Sequence, residues 1–158
     1  MDSHTFVSLN QGVNIKKITF FWESMGSKVK IMPADDHDKI LSLTSHLPHV
    51  IAYNIVKTAM GDDEKMKNDV IRYSAGGLRD FTRIAASNPT MWKDIFIDNS
   101  DLIIDAINHF SRNLEEFKKT IAEKDGKKLL SIFEKAKEFR EEVIKAGQDT
   151  DEPSFGRK

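Results

Sequence analysis

Cysteine is absent from the sequence, which excludes disulfide staples and thiolate chemistry and is compatible with a reducing compartment. Proline is scarce, at four residues, so each one marks a position to interpret. No window approaches the ~20 consecutive apolar residues that a membrane-spanning helix needs. The N-terminus also has no basic stretch leading into an apolar run, the pattern of a secretion signal. Neither sign of charge dominates: 24 Lys and Arg face 25 Asp and Glu, leaving a formal net charge of −1. That balance offers no general attraction for nucleic acid or an anionic membrane, and neither is expected as a partner. The reading is a cytoplasmic protein. What is present is 158 residues with 39% hydrophobic content, enough for one domain with a core or two small ones sharing an interface.

Along the chain, residues 1–12 show no clear period and read as a leader or an added segment. From Val13, the residues Ile15, Ile18, Phe21, Trp22 and Met25 recur at helical spacing, and Gly26 stands where a helix would stop. Lys28 to Met32 alternates polar and apolar before Pro33, as a short half-buried strand does. A helix followed by one strand is the tail of an α/β unit, and this strand is expected to lack a partner in the chain. Asp35 to Met60 predicts a long, largely buried helix with acid gathered at its start. Another helix runs from about Met66 to Tyr73, and a short one from Asp80 to Ala86. Ser87-Asn-Pro-Thr predicts a capped start for the helix that carries Met91, Trp92, Ile95 and Phe96.

The last third has the clearest periodicity. Ile103, Ile107, Phe110, Leu114, Phe117 and Ile121 form a heptad-like seam, and after Asp125-Gly126 the pattern resumes with Leu129, Ile132, Ala136, Phe139 and Val143. Two long helices joined by a short glycine turn are expected to form an antiparallel hairpin, and so long a seam implies a partner surface. The tail from Gly147 is polar.

Two stretches carry candidate chemistry. Within the long helix lies Ser45-His-Leu-Pro-His, where Pro48 removes the backbone bond to the Thr44 carbonyl. A kink there would leave an acceptor to be met by water, a side chain or a ligand. His46 and His49 project from roughly one side. They read as metal ligands lacking further ligands, as structural histidines, or as groups that hydrogen-bond a substrate. The second stretch, Gly76 to Trp92, combines a glycine pair, Asp80, Thr82, Arg83 and an aromatic wall. Guanidinium forks grip carboxylates in paired, charge-assisted hydrogen bonds, so this mixture suits an anionic small molecule. Asp80 and Arg83 form either an ion pair that holds the guanidinium or an ordinary surface pair. Trp92 divides between core packing and ligand contact.

Ser45-His-Leu-Pro-His, then Gly76-Gly-Leu-Arg-Asp-Phe-Thr-Arg-Ile-Ala, then Asn88-Pro-Thr-Met-Trp-Lys-Asp-Ile together resemble the C-terminal helical domain of prephenate dehydrogenase, a family that includes arogenate and cyclohexadienyl dehydrogenases. Met32-Pro-Ala-Asp-Asp-His-Asp fits the approach to that domain. The resemblance runs roughly from Val13 to Val143. It implies an all-α domain of about six helices ending in the long hairpin, preceded by one helix and one strand left from a Rossmann domain. The implied divisions are residues 13–33 as the nucleotide-domain remnant, 34–146 as the substrate-binding and dimerisation domain, and 147–158 as a flexible tail.

Full-length members oxidatively decarboxylate prephenate to 4-hydroxyphenylpyruvate with NAD or NADP, in tyrosine biosynthesis. The resemblance places a substrate-carboxylate contact on Arg83 and makes His49 a pocket residue. Asp80 could fix Arg83, and His46, Thr82, Gly76 and Trp92 join the substrate-binding set by neighbourhood. Prephenate or arogenate is the implied ligand, and a homodimer through the helical domain the implied assembly. The family's Gly-x-Gly-x-x-Gly fingerprint is absent from this sequence. Its proton-accepting histidine belongs to the N-terminal domain. No catalytic, cofactor-binding or metal residue is therefore assigned here, and these residues alone are expected to be inactive and to bind no cofactor. A non-catalytic helical interaction module is the alternative from another class. A chorismate mutase is disfavoured, because no set of arginines faces across a bundle.

Overall fold

Strand, helix and strand open the chain. In the computed structural model, which describes residues 4–8 and 14–148, strand β1 (His4–Ser8) is followed by helix α1 (Ile15–Ser24) and strand β2 (Lys28–Met32). The strands pair in parallel, with His4 opposite Lys28 and Ser8 opposite Met32. Parallel neighbours need a crossover connection, and α1 lies on it. The Asn14 side chain caps α1 by accepting from the Lys17 amide at 3.3 Å. Gly26, with φ of +85°, ends it. The strand expected to lack a partner is therefore paired. Its partner comes from the stretch that shows no period, where pairing is a non-local event that short-range pattern does not reveal. Residues 1–3 and 9–12 of the proposed leader, residue 13 of the proposed nucleotide-domain remnant, and 149–158 of the proposed tail lie outside the described residues.

The helix predicted from Asp35 to Met60 forms as α2 (Ala34–Leu41), a π-helical turn (Ser42–His46) and α3 (Leu47–Met60). The Leu47 amide donates to the Ser42 carbonyl, the five-residue step that defines the wide turn. Its cause sits just beyond it. Pro48 has no amide to donate, and in a regular helix its ring would strike the Thr44 carbonyl; widening the preceding turn carries the chain past both problems. Burial is less complete than the sequence pattern suggests: Ala52, Ser42 and His46 are buried, but Ile40 and Leu43 stay 43% and 56% exposed.

Gly61 stops α3 at φ +52°. Helix α4 (Glu64–Arg72) follows, with the Asp63 carboxylate accepting from the Lys65 and Met66 amides at 2.8 and 3.1 Å. Helix α5 (Gly76–Ala85) begins earlier than Asp80. Its glycine pair sits in the first turn with no positive φ, and a Cβ on either glycine would meet nothing within 4 Å. Among the described residues, no other group approaches the backbone of that pair where a Cβ would stand. Leu78, Phe81 and Ile84 instead repeat at helical spacing, and α5 packs along α3. Helix α6 (Pro89–Asp98) starts as predicted, with Asn88 accepting from the Thr90 and Met91 amides at 3.0 and 3.1 Å. Helices α7 (Ser100–Ala122) and α8 (Gly126–Lys145) complete the chain.

Two compact units result, one ending at Asn108 and the other beginning at His109. The first draws its buried apolar residues from α3, α6 and the start of α7: Ala52, Trp92, Ile103 and Ala106. The second contains the end of α7 folded back against α8, with Phe117 and Phe133 at 6.1 Å between ring centroids and Lys128 on Glu116 at 2.7 Å. In the turn the left-handed residue is Lys124, at φ +54°, rather than the glycine, which opens α8. The Asp125 side chain caps α8 through the Lys128 amide at 3.0 Å.

One buried polar atom in α3 generates a test. The Tyr53 ring meets Phe96 edge-on at 6.3 Å, and its hydroxyl is buried with no hydrogen-bond partner among the described residues. Such a group costs about 1–3 kcal/mol when left unpaired. Tyr53→Phe should therefore leave stability unchanged or raise it by up to ~1 kcal/mol. Urea denaturation checks this, and a clear loss would show that the hydroxyl has a partner in solution.

Candidate functional site

The π turn places two histidines with opposite hydrogen-bonding roles beside one indole. His49 Nδ1 lies 2.9 Å from the Ser45 carbonyl. A carbonyl only accepts, so the ring proton is on Nδ1 and Nε2 carries the free lone pair. The His49 side chain thus meets the Ser45 carbonyl, the neighbour of the Thr44 carbonyl that Pro48 leaves without its amide. His46 is 7% exposed, and its Nδ1 lies 3.2 Å from Nδ2 of Asn99. The amide donates there, so the His46 proton sits on Nε2. The same Asn99 nitrogen donates to the Asp38 carbonyl at 3.1 Å. Both of its hydrogens are used.

Trp92 ties the two rings together. His49 stacks on it at 3.5 Å with planes 22° apart, and His46 meets it edge-on at 6.2 Å. Phe96 backs the indole at 5.5 Å. Trp92 is 6% exposed, and its Nε1 is buried without a hydrogen-bond partner among the described residues. One indole face is therefore covered by the His49 ring, which is itself half-buried. Burial holds the His46 pKa below its ordinary value; the Asp38 carboxylate opposes this, while His37 and His49 reinforce it. His46 is neutral near pH 7. Among the described residues no group of three His, Cys, Asp or Glu side chains is placed to hold a metal.

The second predicted cluster lies on the helix packed along α3. On α5, Arg83 Nε lies 3.9 Å from Asp80 Oδ1, too long for a hydrogen bond, and the arginine side chain is 73% exposed. This is a loose surface pair, worth ~0–1 kcal/mol. No hydrogen bond or ring contact joins Arg83 to His49 or Trp92 among the described residues. Thr82 donates its hydroxyl to the Arg79 carbonyl at 2.9 Å. It borders a separate apolar cavity of about 100 Å³ lined by Val56, Met60, Val70, Ile71 and Leu78. Gly76 opens α5 with open space around it. The structure thus gathers His46, His49 and Trp92, and places Arg83 on the neighbouring helix with no bidentate partner among the described residues.

Asn99 and Asp38 are the members of the histidine group that sequence reasoning did not assign. Asn99 reads as the end of a helix, which it is, being the C-terminal cap of α6. An asparagine ending one helix immediately before another begins is the available signal, and it carries no information about His46.

The architecture so far is a helical domain adjoining a parallel strand–helix–strand unit, with a histidine pair on its proline-interrupted helix. Residues 33–135 match the family described as prephenate dehydrogenase, dimerization domain. The match covers more than half of the chain, and the chain belongs to the prephenate dehydrogenase family. It is 40% identical over 126 residues to the cyclohexadienyl dehydrogenase of Zymomonas mobilis, covering 80% of this chain and 43% of that protein. It is 36% identical over 110 residues to the prephenate dehydrogenase of Bacillus subtilis, covering 70% and 29% respectively. Among solved structures, the prephenate dehydrogenase of A. aeolicus in complex with hydroxyphenyl propionate and NAD+ superposes with a TM-score of 0.77 at 30% identity, over 89% of this chain and 50% of that one. The chain thus spans half or less of the length of these relatives.

A pyrophosphate cradle needs closely spaced glycines between strand and helix; among the described residues the glycine nearest the strands, Gly26, is a helix stop with nothing near it. No helix among the described residues is long and apolar enough to cross a membrane.

Burial of neutral His46 has a pH consequence. The unfolded chain takes up this proton near the ordinary value of 6.5 and the folded chain only below it. The stability contributed is full above 6.5 and is lost as the pH falls from there through the lowered folded value. Stability curves from pH 8 to about 4 should show this slope, and His46→Gln should flatten that part of the curve. An unchanged slope in the variant would assign the titration elsewhere.

Proposed function

We propose that this chain is the substrate-binding and dimerisation part of a prephenate or arogenate dehydrogenase, serving the NAD(P)-dependent oxidative decarboxylation of prephenate to 4-hydroxyphenylpyruvate in tyrosine biosynthesis. The observation that carries the reading is the His49 ring held flat on buried Trp92, beside neutral His46, on a helix inside the span matched to the family. A planar, half-buried imidazole suits the face of a six-membered ring, and its Nε2 lone pair suits a ligand hydroxyl. Trp92 acts through His49, by fixing its plane. Arg83 supplies what the histidine pair lacks, a permanent cation with a free fork for a carboxylate. Asp80, at 3.9 Å, biases the guanidinium without consuming its donors. Gly76 leaves the first-turn amides of α5 unshielded, and Thr82 sits one residue from Arg83 on the same helix. NAD or NADP would be held by residues other than those described.

Assembly follows from what the second unit leaves uncovered. Leu114, Ile121, Leu130, Phe133 and Phe139 are each more than half exposed. Apolar surface on that scale marks an interaction face, and a homodimer through the α7–α8 hairpin would cover it. Phe139, 68% exposed in the single chain, is the side chain with most to gain.

Calorimetric titration with prephenate or 4-hydroxyphenylpyruvate tests the site. Arg83→Ala should weaken binding by about tenfold to a hundredfold, the loss of a charge-assisted pair, and Arg83→Lys should restore only part of it. No heat from the parent chain at millimolar ligand, or equal affinity in Arg83→Ala, would remove Arg83 from the reading. For the assembly, sedimentation should show a dimer that Phe139→Glu shifts toward monomer. A parent chain that stays monomeric at all concentrations would exclude the dimer.

A further inference from the structure

We infer that Asn99 is a positioning residue that fixes the tautomer of His46, so that His46 and His49 present opposite hydrogen-bonding polarity. The inference deepens the proposed function, and rests on it only for the claim that a ligand meets these rings. The geometry is independent of that reading. A primary amide nitrogen has two hydrogens and no lone pair to offer. Asn99 commits one to the Asp38 carbonyl at 3.1 Å and the other to His46 Nδ1 at 3.2 Å. The first contact orients the amide, because a flipped amide would set its oxygen against a carbonyl oxygen. The second then forces His46 to accept at Nδ1 and to carry its proton on Nε2. His49 is forced the other way, because the Ser45 carbonyl takes its Nδ1 proton at 2.9 Å. One ring thus offers N–H at Nε2 and the other a lone pair.

Two such groups satisfy a hydroxyl, which gives one hydrogen bond and takes another. A carboxylate, which can only accept, would be repelled by the His49 lone pair. The division of labour with Arg83 follows: the histidines discriminate hydroxyl from carboxylate, and the guanidinium takes the anion. Asn99 also opposes protonation of His46, since an imidazolium would set N–H against N–H. The other titratable groups facing this ring are Asp38 and His37 on α2 and His49 on α3. Asp38 favours the imidazolium; burial is the main influence against it, and the amide donor acts in the same direction as burial.

Long-range proton–nitrogen correlation NMR on the full chain, without ligand, reads the tautomer directly. The parent chain should show neutral His46 protonated at Nε2 and His49 at Nδ1. Asn99→Asp replaces the donor by an acceptor, so His46 should flip to the Nδ1–H form and titrate at higher pH than in the parent. Asn99→Gln, which keeps the donor, should retain Nε2–H. His46 found as Nδ1–H in the parent, or unmoved in a folded Asn99→Asp, would overturn the inference. If the variants fail to fold, the parent spectrum still decides. With 4-hydroxyphenylpyruvate as the probe, Asn99→Asp should bind about tenfold more weakly, the worth of one reversed hydrogen bond. A flipped tautomer with unchanged affinity would overturn the discriminating role. A parent chain that binds nothing would count against the proposed function and leave the tautomer assignment standing.

Discussion

The amide that Pro48 lacks is the constraint from which the site descends. A helix carrying proline in its interior must give up a hydrogen bond and avoid a ring–carbonyl clash. Here the chain meets both demands by widening one turn, and the π geometry of Ser42–His46 re-aims every side chain that follows. His46 turns into the interior toward Asn99, and His49 folds its own Nδ1 onto the Ser45 carbonyl while its ring lies on Trp92. With a regular turn, the two rings would stand in the ordinary stagger of residues three apart, and their relation to Trp92 would be different.

Around that constraint the packing is economical. Ala52 and Ala106 occupy buried positions where larger side chains would hold helices apart, and Trp92 and Ile103 fill the space so defined. The polar groups taken inside are mostly paired. Ser42 donates to the Lys39 carbonyl at 2.8 Å, and Thr120 to that of Glu116 at 2.8 Å. Trp92 Nε1 and Tyr53 hydroxyl are the exceptions among the described residues. Both belong to the aromatic group that supports His49, so the unpaired donors sit where a site needs rigidity more than stability. The second unit holds few buried residues, Thr120 being one, and its ion pair between Glu116 and Lys128 is solvent-exposed and adds little.

Several elements are legible in the residue pattern alone. The caps Asn88 and Asp63, the stops Gly26 and Gly61, and the heptad-like spacing through α7 and α8 are local signals, and the helices form where they point. Where reading falls short, the deciding contact is distant. Nothing in residues 4–8 signals a strand until β2 is beside them. The glycine pair at Gly76 reads as a break, yet packing along α3 carries the helix through it. The hairpin turn reads as glycine's, but the left-handed residue is Lys124.

The candidate site divides along the same line. Residue types and motif spacing by themselves single out His46, His49, Arg83 and Trp92, because proline, histidine pairs and cationic forks are chemically distinctive wherever they fall. Only the tertiary structure decides that Trp92 is buried beneath His49, that the Arg83 side chain is largely exposed, and that Asn99 reaches back across 53 residues to His46. Tautomer, burial and stacking are properties of neighbours brought together in space. The sequence determines which groups are available, and the fold determines which of them donate, accept or lie exposed.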